Sequence, residues 1–156
     1  MAVIAVIDYE MGNLQSVCKA LEKAGATHKV TSSPKDLEKA MAIVLPGVGA
    51  FDPAMQSLRA RGLIEPIKSI IYSGKPFLGI CLGMQILFES SEEGVENGLG
   101  IIPGKVRRFR PSQEIRIPHM GWNQLEITQA RSLLWEHLPP QPWVYVVHSF
   151  YVDPVD

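Results

Sequence analysis

Strand-like and helix-like patterns alternate along the first half of the chain. Short, mostly apolar runs that predict strands occupy residues 3–7, 42–45 and 76–80, and a further short strand is predicted at 28–31. Apolar residues at helical spacing, together with capping residues and prolines, predict five helices. They cover residues 14–24, a segment that begins at 34, residues 52 to about 62, residues 64–72, and residues 82 to about 88. This order predicts a mainly parallel sheet with helices on both faces.

Helix-capping residues, prolines and glycines set the expected ends of these helices and strands. Ser33 and Asp52 each precede a proline and are expected to cap the second and third helices. Asn13 is expected to cap the first helix, and Gly25 to end it. The pair Pro46-Gly47 is expected to break the third strand.

The second half of the chain has a different pattern. Strands are predicted at residues 105–110, 115–117, 124–127 and 143–147, separated by proline-containing loops. We expect them to add antiparallel strands at one edge of the sheet. The whole chain, residues 1–156, is then expected to form one three-layer α/β domain.

Residues 79–83, Gly-Ile-Cys-Leu-Gly, lie between a predicted strand and a predicted helix. This is the cysteine form of a nucleophile elbow, in which a strained turn presents the nucleophile at the carboxyl end of a strand. Small residues two positions away let the strand and the helix approach closely, and the start of the helix favours a thiolate. A lone cysteine is more often structural, and Cys18, on the apolar stripe of its helix, keeps that interpretation.

Charge, hydropathy and cysteine content exclude several classes of protein. The formal net charge of −1 argues against a protein that neutralises many phosphates, so no nucleic-acid partner is expected. No apolar run is long enough to span a membrane, and no basic segment precedes the first strand, so neither a membrane anchor nor a signal peptide is expected. The two cysteines suggest a reducing cytoplasm, and no spacing suggests a metal site or a cofactor.

Four motifs together resemble one branch of a known family. Residues 79–85, Gly-Ile-Cys-Leu-Gly-Met-Gln, are similar to the nucleophile motif of class I glutamine amidotransferases. Residues 8–14, 45–51 and 118–123 resemble the histidine-biosynthesis branch, the amidotransferase subunits of imidazole glycerol phosphate synthases, and residues 147–151 agree. The resemblance runs from about Val3 to Val152, and Glu10 stands where that branch often has glycine.

The resemblance implies roles for individual residues. Cys81 would attack the side-chain amide of glutamine, form a glutamyl thioester and release ammonia. The residues that would serve the oxyanion and the substrate fall into two groups: Gly47, Val48, Gly49 and Leu82 for the oxyanion, and Gln85, Ser149 and Phe150 for the substrate. In the family the oxyanion peptide must reorient before it can donate, and flanking glycines permit such a turn.

Four more residues match segments near the family's ammonia exit and partner interface: Asn13, His119, Trp122 and Asn123. Each has a plainer interpretation, because Asn13 is a good helix cap and His119 and Trp122 could pack a loop. The partner implied by the resemblance is the cyclase subunit, which is a (β/α)₈ barrel. It would use the ammonia to make imidazole glycerol phosphate and an aminoimidazole carboxamide ribotide.

The family's His-x-Glu segment, which completes the catalytic triad, does not occur in these 156 residues. None of His28, His119, His137 and His148 is followed two positions later by glutamate. We therefore expect the domain to be incomplete at its C-terminus, with poor glutaminase activity and apolar sheet surface left uncovered. The alternatives are a catalytically inactive subunit that only binds its partner, or another class I amidotransferase.

Overall fold

A computed structural model describes residues 2–111, 116–129 and 132–155. Within them the strands are β1 (Ile4–Ile7), β2 (His28–Thr31), β3 (Ala42–Gly47), β4 (Phe77–Cys81), β5 (Ser90–Ser91), β6 (Gly104–Arg108), β7 (His119–Gln124), β8 (Trp143–His148) and β9 (Phe150–Pro154). The helices are α1 (Leu14–Lys23), α2 (Pro34–Lys39), α3 (Phe51–Ala60), α4 (Ile64–Tyr72) and α5 (Leu82–Gln85), with a 3₁₀ turn at Leu133–Trp135. No described helix combines the length and the apolar character that crossing a bilayer requires.

The chain divides into two compact units. The first is Met1–Arg107 with Val152–Asp156, and the second is Arg108–Tyr151. The sequence-based expectation of a single domain over residues 1–156 stays a prediction.

The first unit is built on a four-stranded parallel sheet with the strand order β2-β1-β3-β4. Right-handed crossovers place α1 on one face of this sheet and α2, α3 and α4 on the other. The parallel sheet and its flanking helices confirm the predicted fold class.

Most of the core lies between the sheet and α2, α3 and α4. These helices bury Leu37, Phe51, Ala54, Met55, Leu58, Ile67 and Ile70. Full burial of one large apolar side chain stabilises a fold by roughly 1.5–3 kcal/mol. This face therefore holds the first unit together.

The face that carries α1 is only partly covered. No residue of α1 is buried, although its predicted apolar stripe is present. Leu78 is 46% exposed and Ile80 37%. A groove of about 310 Å³, the α1 groove, runs between Val17 and Leu21 of the helix and Val44, Leu78 and Ile80 of the sheet. Among the described residues, this face of the sheet therefore leaves apolar side chains partly exposed.

Two predictions of element ends were wrong. Strand β3 continues through Pro46 and Gly47, because its ladder to β1 ends at Val44 and the missing amide hydrogen of Pro46 is not needed there. Asp52 lies inside α3, and its carboxylate accepts hydrogen bonds from the amides of Val95 and Glu96, both at 3.0 Å. The predicted start of α2 is confirmed, because Ser33 occupies the capping position and Pro34 begins the helix, although the Ser33 side chain makes no capping bond.

The later strands form sheets of their own within the described residues, not an extension of the central sheet. The order in one sheet is β5-β6-β9, and β7 pairs with β8 in an antiparallel ribbon, which lies in the second unit. Strand β7 ends at Gln124, so the prediction of a strand at 124–127 was wrong. Of the strand predicted at 115–117, residue 115 lies outside the described residues and residues 116 and 117 are not in a strand.

Alternation along the ribbon gives it one exposed face. Met120, Trp122, Trp143, Tyr145 and Val147 point to that face and are each more than half exposed. The rings of Trp122 and Tyr145, which are cross-strand partners, meet edge to face with centroids 5.6 Å apart. This set of five side chains is called the ribbon face below.

Candidate active site

Cys81 ends strand β4 and caps helix α5, so it sits at the turn that the spacing predicts. Its backbone has φ 54° and ψ −115°, a region that side-chain-bearing residues rarely adopt. Among the described residues only Glu10 is also a non-glycine residue with positive φ. The cysteine is exposed and free. Strain held at an exposed nucleophilic side chain is typical of functional sites.

Glycines make this turn possible because three backbone segments cross there. A Cβ atom on Gly83 would lie 1.9 Å from the carbonyl oxygen of Leu45. A Cβ atom on Gly79 would lie 2.7 Å from the carbonyl oxygen of Gly83, and one on Gly47 would lie 2.6 Å from the amide nitrogen of Gly83. No real side chain tolerates such distances to backbone atoms. The predicted reason for small residues on either side of Cys81 is therefore confirmed.

The predicted oxyanion segment lies beside Cys81. Gly47 is the cross-strand partner of Cys81 in the ladder between β3 and β4. The amide of Val48 donates to the carbonyl oxygen of Met11 at 2.8 Å, so in this conformation it is not available to a substrate. Gly49 follows with φ +104°. The amide of Leu82, at the first position of α5, is one of those that a helix leaves without an intrahelical acceptor.

Glu10 lies in the loop after β1, next to Met11. Its φ is 67°, its amide donates to the carboxylate of Asp8 at 3.0 Å, and its own carboxylate pairs with Arg61. A left-handed backbone favours glycine, which accounts physically for the glycine that resembling sequences often have at this position.

Tyr9 is a member of the site that the sequence reasoning missed. It is 1% exposed, and its hydroxyl oxygen lies 2.6 Å from the point where a Cβ atom on Gly47 would stand. Burial, and to a smaller extent the charge of Cys81, raises the pKa of the Tyr9 phenol far above its ordinary value. The only signal in the sequence was that a large aromatic residue, Tyr9, follows Asp8 directly after a buried strand.

Comparison with known proteins decides the family. The model of the family described as glutamine amidotransferase class-I matches residues 5–156. The chain is 78% identical over its whole length to the imidazole glycerol phosphate synthase subunit HisH of Nostoc punctiforme, and 73% identical to that of Trichormus variabilis. It covers 74% of the length of each. The chain belongs to the class I glutamine amidotransferases, in their HisH branch. The predicted family and branch are confirmed.

Solved structures agree with this amidotransferase fold. A crystal structure of a glutamine amidotransferase has a TM-score of 0.70 at 20% identity, over 94% of this chain and 71% of that one. A glutamine amidotransferase of Thermotoga maritima has a TM-score of 0.59 at 20% identity, over 97% and 62% of the two chains. At these identities the likeness concerns the fold alone.

The other residues for which the sequence predicts a role lie in several places. Gln85 is buried at the end of α5. Asn13 caps α1, its side-chain oxygen accepting from the amide of Ser16 at 3.3 Å. Ser149 and Phe150 lie in the second unit. The roles of these four residues in substrate or partner binding stay predictions.

His119, Trp122 and Asn123 all lie on strand β7 of the second unit. The side-chain amide of Asn123 lies 2.8 Å from Nε2 of His119, and Trp122 is 66% exposed on the ribbon face. The exposed indole fits a contact surface better than a packed loop. The interface role of the three residues stays a prediction.

Proposed function

We propose that Cys81 is the nucleophile of a glutaminase. Its sulfur forms a bond to the side-chain carbonyl carbon of glutamine, the carbon–nitrogen bond breaks, and ammonia leaves. Water then cleaves the thioester, which releases glutamate and restores the thiol. The observation that carries this proposal is the strained, exposed cysteine at a strand-to-helix turn, beside Gly47 of the oxyanion segment.

Two backbone amides would hold the oxyanion of the tetrahedral intermediate. The amide of Leu82 starts helix α5 directly after the nucleophile. The amide of Val48 must first leave the carbonyl of Met11, which requires the Gly47–Val48 peptide to turn. Glycines on both sides of Val48 make the turn inexpensive. The bond between Val48 and Met11 therefore marks a resting conformation of the proposed site.

The proposed partner is the cyclase of imidazole glycerol phosphate synthase, a (β/α)₈ barrel that receives the ammonia. The relatives carry the name of a synthase subunit, which implies such an assembly. Trp122 on the ribbon face has the exposed aromatic character of an interface anchor. A cytoplasmic location fits the two free cysteines.

Alkylation of Cys81 tests the proposed nucleophile. The chloromethyl ketone analogue of glutamine should label Cys81 much faster than Cys18, which is half-buried on α1. Cys81→Ser should abolish the fast labelling, and Cys18→Ser should leave it unchanged. Equal labelling of the two cysteines would favour a subunit that binds its partner without catalysis.

Turnover and assembly give two further tests. A polypeptide of these 156 residues has no His-x-Glu segment, so its glutamate release with the cyclase present should lie roughly 10²–10⁴-fold below that of a relative with such a segment. Comparable turnover would reject that expectation.

Trp122→Ala should weaken co-purification with the cyclase, whereas Tyr72→Ala, an equally exposed aromatic in the first unit, should not.

A further inference from the structure

The side chain of Tyr9 reaches the place where β3 ends and α5 begins. Around the point where a Cβ atom on Gly47 would stand, the Tyr9 hydroxyl oxygen and the amide nitrogen of Gly83 are both at 2.6 Å, and Cβ of Leu82 is at 2.9 Å. The carbonyl oxygen of Tyr9 accepts a hydrogen bond from the Ser57 hydroxyl, which fixes its backbone to α3. The phenol is thus held between the oxyanion segment and the nucleophile turn.

The hydroxyl of Tyr9 has no hydrogen-bond partner within the part of the chain that the structure describes. Among the buried side-chain nitrogen and oxygen atoms of the described residues, it alone is unsatisfied. Buried hydroxyl groups almost always find a partner, and an unmet one raises the free energy of the conformation that holds it. Such a group calls for an explanation, and a second conformation of the site in which the hydroxyl is paired is one.

The hydroxyl is a donor under all conditions in which the site could work. Burial and the charge of Cys81 raise the pKa of the phenol and keep it protonated, since a thiolate nearby opposes its ionisation. What the hydroxyl lacks is an acceptor. The nearest backbone that the proposed mechanism requires to move is the peptide between Gly47 and Val48.

We propose that Tyr9 is a positioning residue for this peptide, and that its hydroxyl donates to the Gly47 carbonyl oxygen once the peptide turns. In the resting conformation Val48 donates to Met11 and the hydroxyl stays unpaired. A turn frees the amide of Val48 for the oxyanion and carries the Gly47 carbonyl towards the side on which the loop of Tyr9 and Met11 lies. The unmet hydroxyl disfavours the resting conformation, and the new bond favours the turned one. This inference rests on the proposed oxyanion role of Val48.

Tyr9→Phe tests the proposal when its Cys81 is labelled with two electrophiles, only one of which uses the oxyanion site. Iodoacetamide needs only an accessible thiolate, whereas the glutamine chloromethyl ketone also needs its carbonyl oxygen held in the oxyanion site. We expect labelling of Cys81 by the ketone to fall about tenfold, the factor that one hydrogen bond commonly contributes. Labelling by iodoacetamide should stay within about twofold, because it makes no use of the oxyanion site. Tyr72→Phe, an exposed tyrosine of the first unit, is the matched control and should change neither rate.

The thermal stability of the variant completes the test. Removal of an unpaired hydroxyl should leave the melting temperature of Tyr9→Phe equal to or above that of the parent chain. Unchanged ketone labelling would overturn the proposal, and so would a parallel fall in both labelling rates, which would indicate a bond to the sulfur. A lowered melting temperature would also overturn it, because the hydroxyl would then be paired at rest. If the parent chain itself shows no preference of the ketone for Cys81 over Cys18, the proposed nucleophile fails first.

Discussion

Gly83→Ala is the substitution for which the structure gives the sharpest expectation. The added Cβ would lie 1.9 Å from the carbonyl oxygen of Leu45, 2.8 Å from its carbonyl carbon and 3.2 Å from the carbonyl carbon of Pro46. These are backbone atoms of β3, where Leu45 and Pro46 are held in the ladder to β4, and they cannot swing away as a flexible side chain can. To restore ordinary contact, α5 and β3 would have to separate by more than about 1 Å, as judged against normal carbon–oxygen contacts of about 3.5 Å.

The expected magnitude follows from two opposing effects. Alanine is the better helix former, and without a clash it would stabilise α5 by roughly 0.5–1 kcal/mol. Overpacking typically costs about 1–3 kcal/mol, and a backbone obstacle places this case at the upper end. We expect the free energy of unfolding to fall by about 3 kcal/mol, a large share of the roughly 5–15 kcal/mol of a typical domain.

The assay must report on the first unit. All three tryptophans, Trp122, Trp135 and Trp143, belong to the second unit, so tryptophan fluorescence would follow the wrong part of the chain. Urea denaturation followed by far-UV circular dichroism, with amide exchange in β3 and β4, reports on the sheet itself. Gly74→Ala is the control, because a Cβ there meets nothing within 4 Å and only its φ of +80° opposes alanine, by about 1 kcal/mol. A Gly83→Ala chain as stable as the parent would refute the reasoning.

Three further outcomes can be measured. Lys75→Met should lower the free energy of unfolding by about 2 kcal/mol, because the ammonium group donates to three carbonyls at the end of α2, at 2.6–2.9 Å. Glu10→Gly should be about 1 kcal/mol more stable than Glu10→Ala in the same denaturation assay, because both lose the carboxylate and only alanine keeps a Cβ at positive φ. Hydrogen bonds from Lys29 and Thr31 hold the pKa of Asp36 below its ordinary value, so Lys29→Met should raise that pKa in an NMR titration. The stability difference between the parent and Lys29→Met should be present above the ordinary carboxyl pKa and vanish as the pH falls through the pKa of folded Asp36.

The parts of the fold encoded by local patterns could be predicted from the sequence. Continuous apolar runs predicted β1, β3 and β4, and the spacing of Gly79, Cys81 and Gly83 predicted the strained turn, because each depends on neighbours within a few residues. Helix α1 began and ended where its caps and periodicity indicated, and α4 where its periodicity indicated.

Features that depend on partners distant in sequence could not be predicted. Asp52 was interpreted as a cap, but its carboxylate is used by amides more than forty residues away. Pro46 was interpreted as a strand breaker, and only the early end of the β1 ladder shows why it is tolerated. The unmet hydroxyl of Tyr9 exists only because three segments meet around it.

Three backbone segments approach closely at the glycines around Cys81, and this restricts which sequence changes the enzyme can tolerate. At positions 47, 79 and 83 even a methyl group would collide with main-chain atoms, so random mutagenesis should recover almost no replacements there. Adjustment of the thiol's reactivity is therefore left to the intervening positions, among them Val48 and Ile80, whose side chains are exposed. In a saturation library selected for activity and then sequenced, positions 47, 79 and 83 should remain glycine, whereas Val48 and Ile80 should accept many residues.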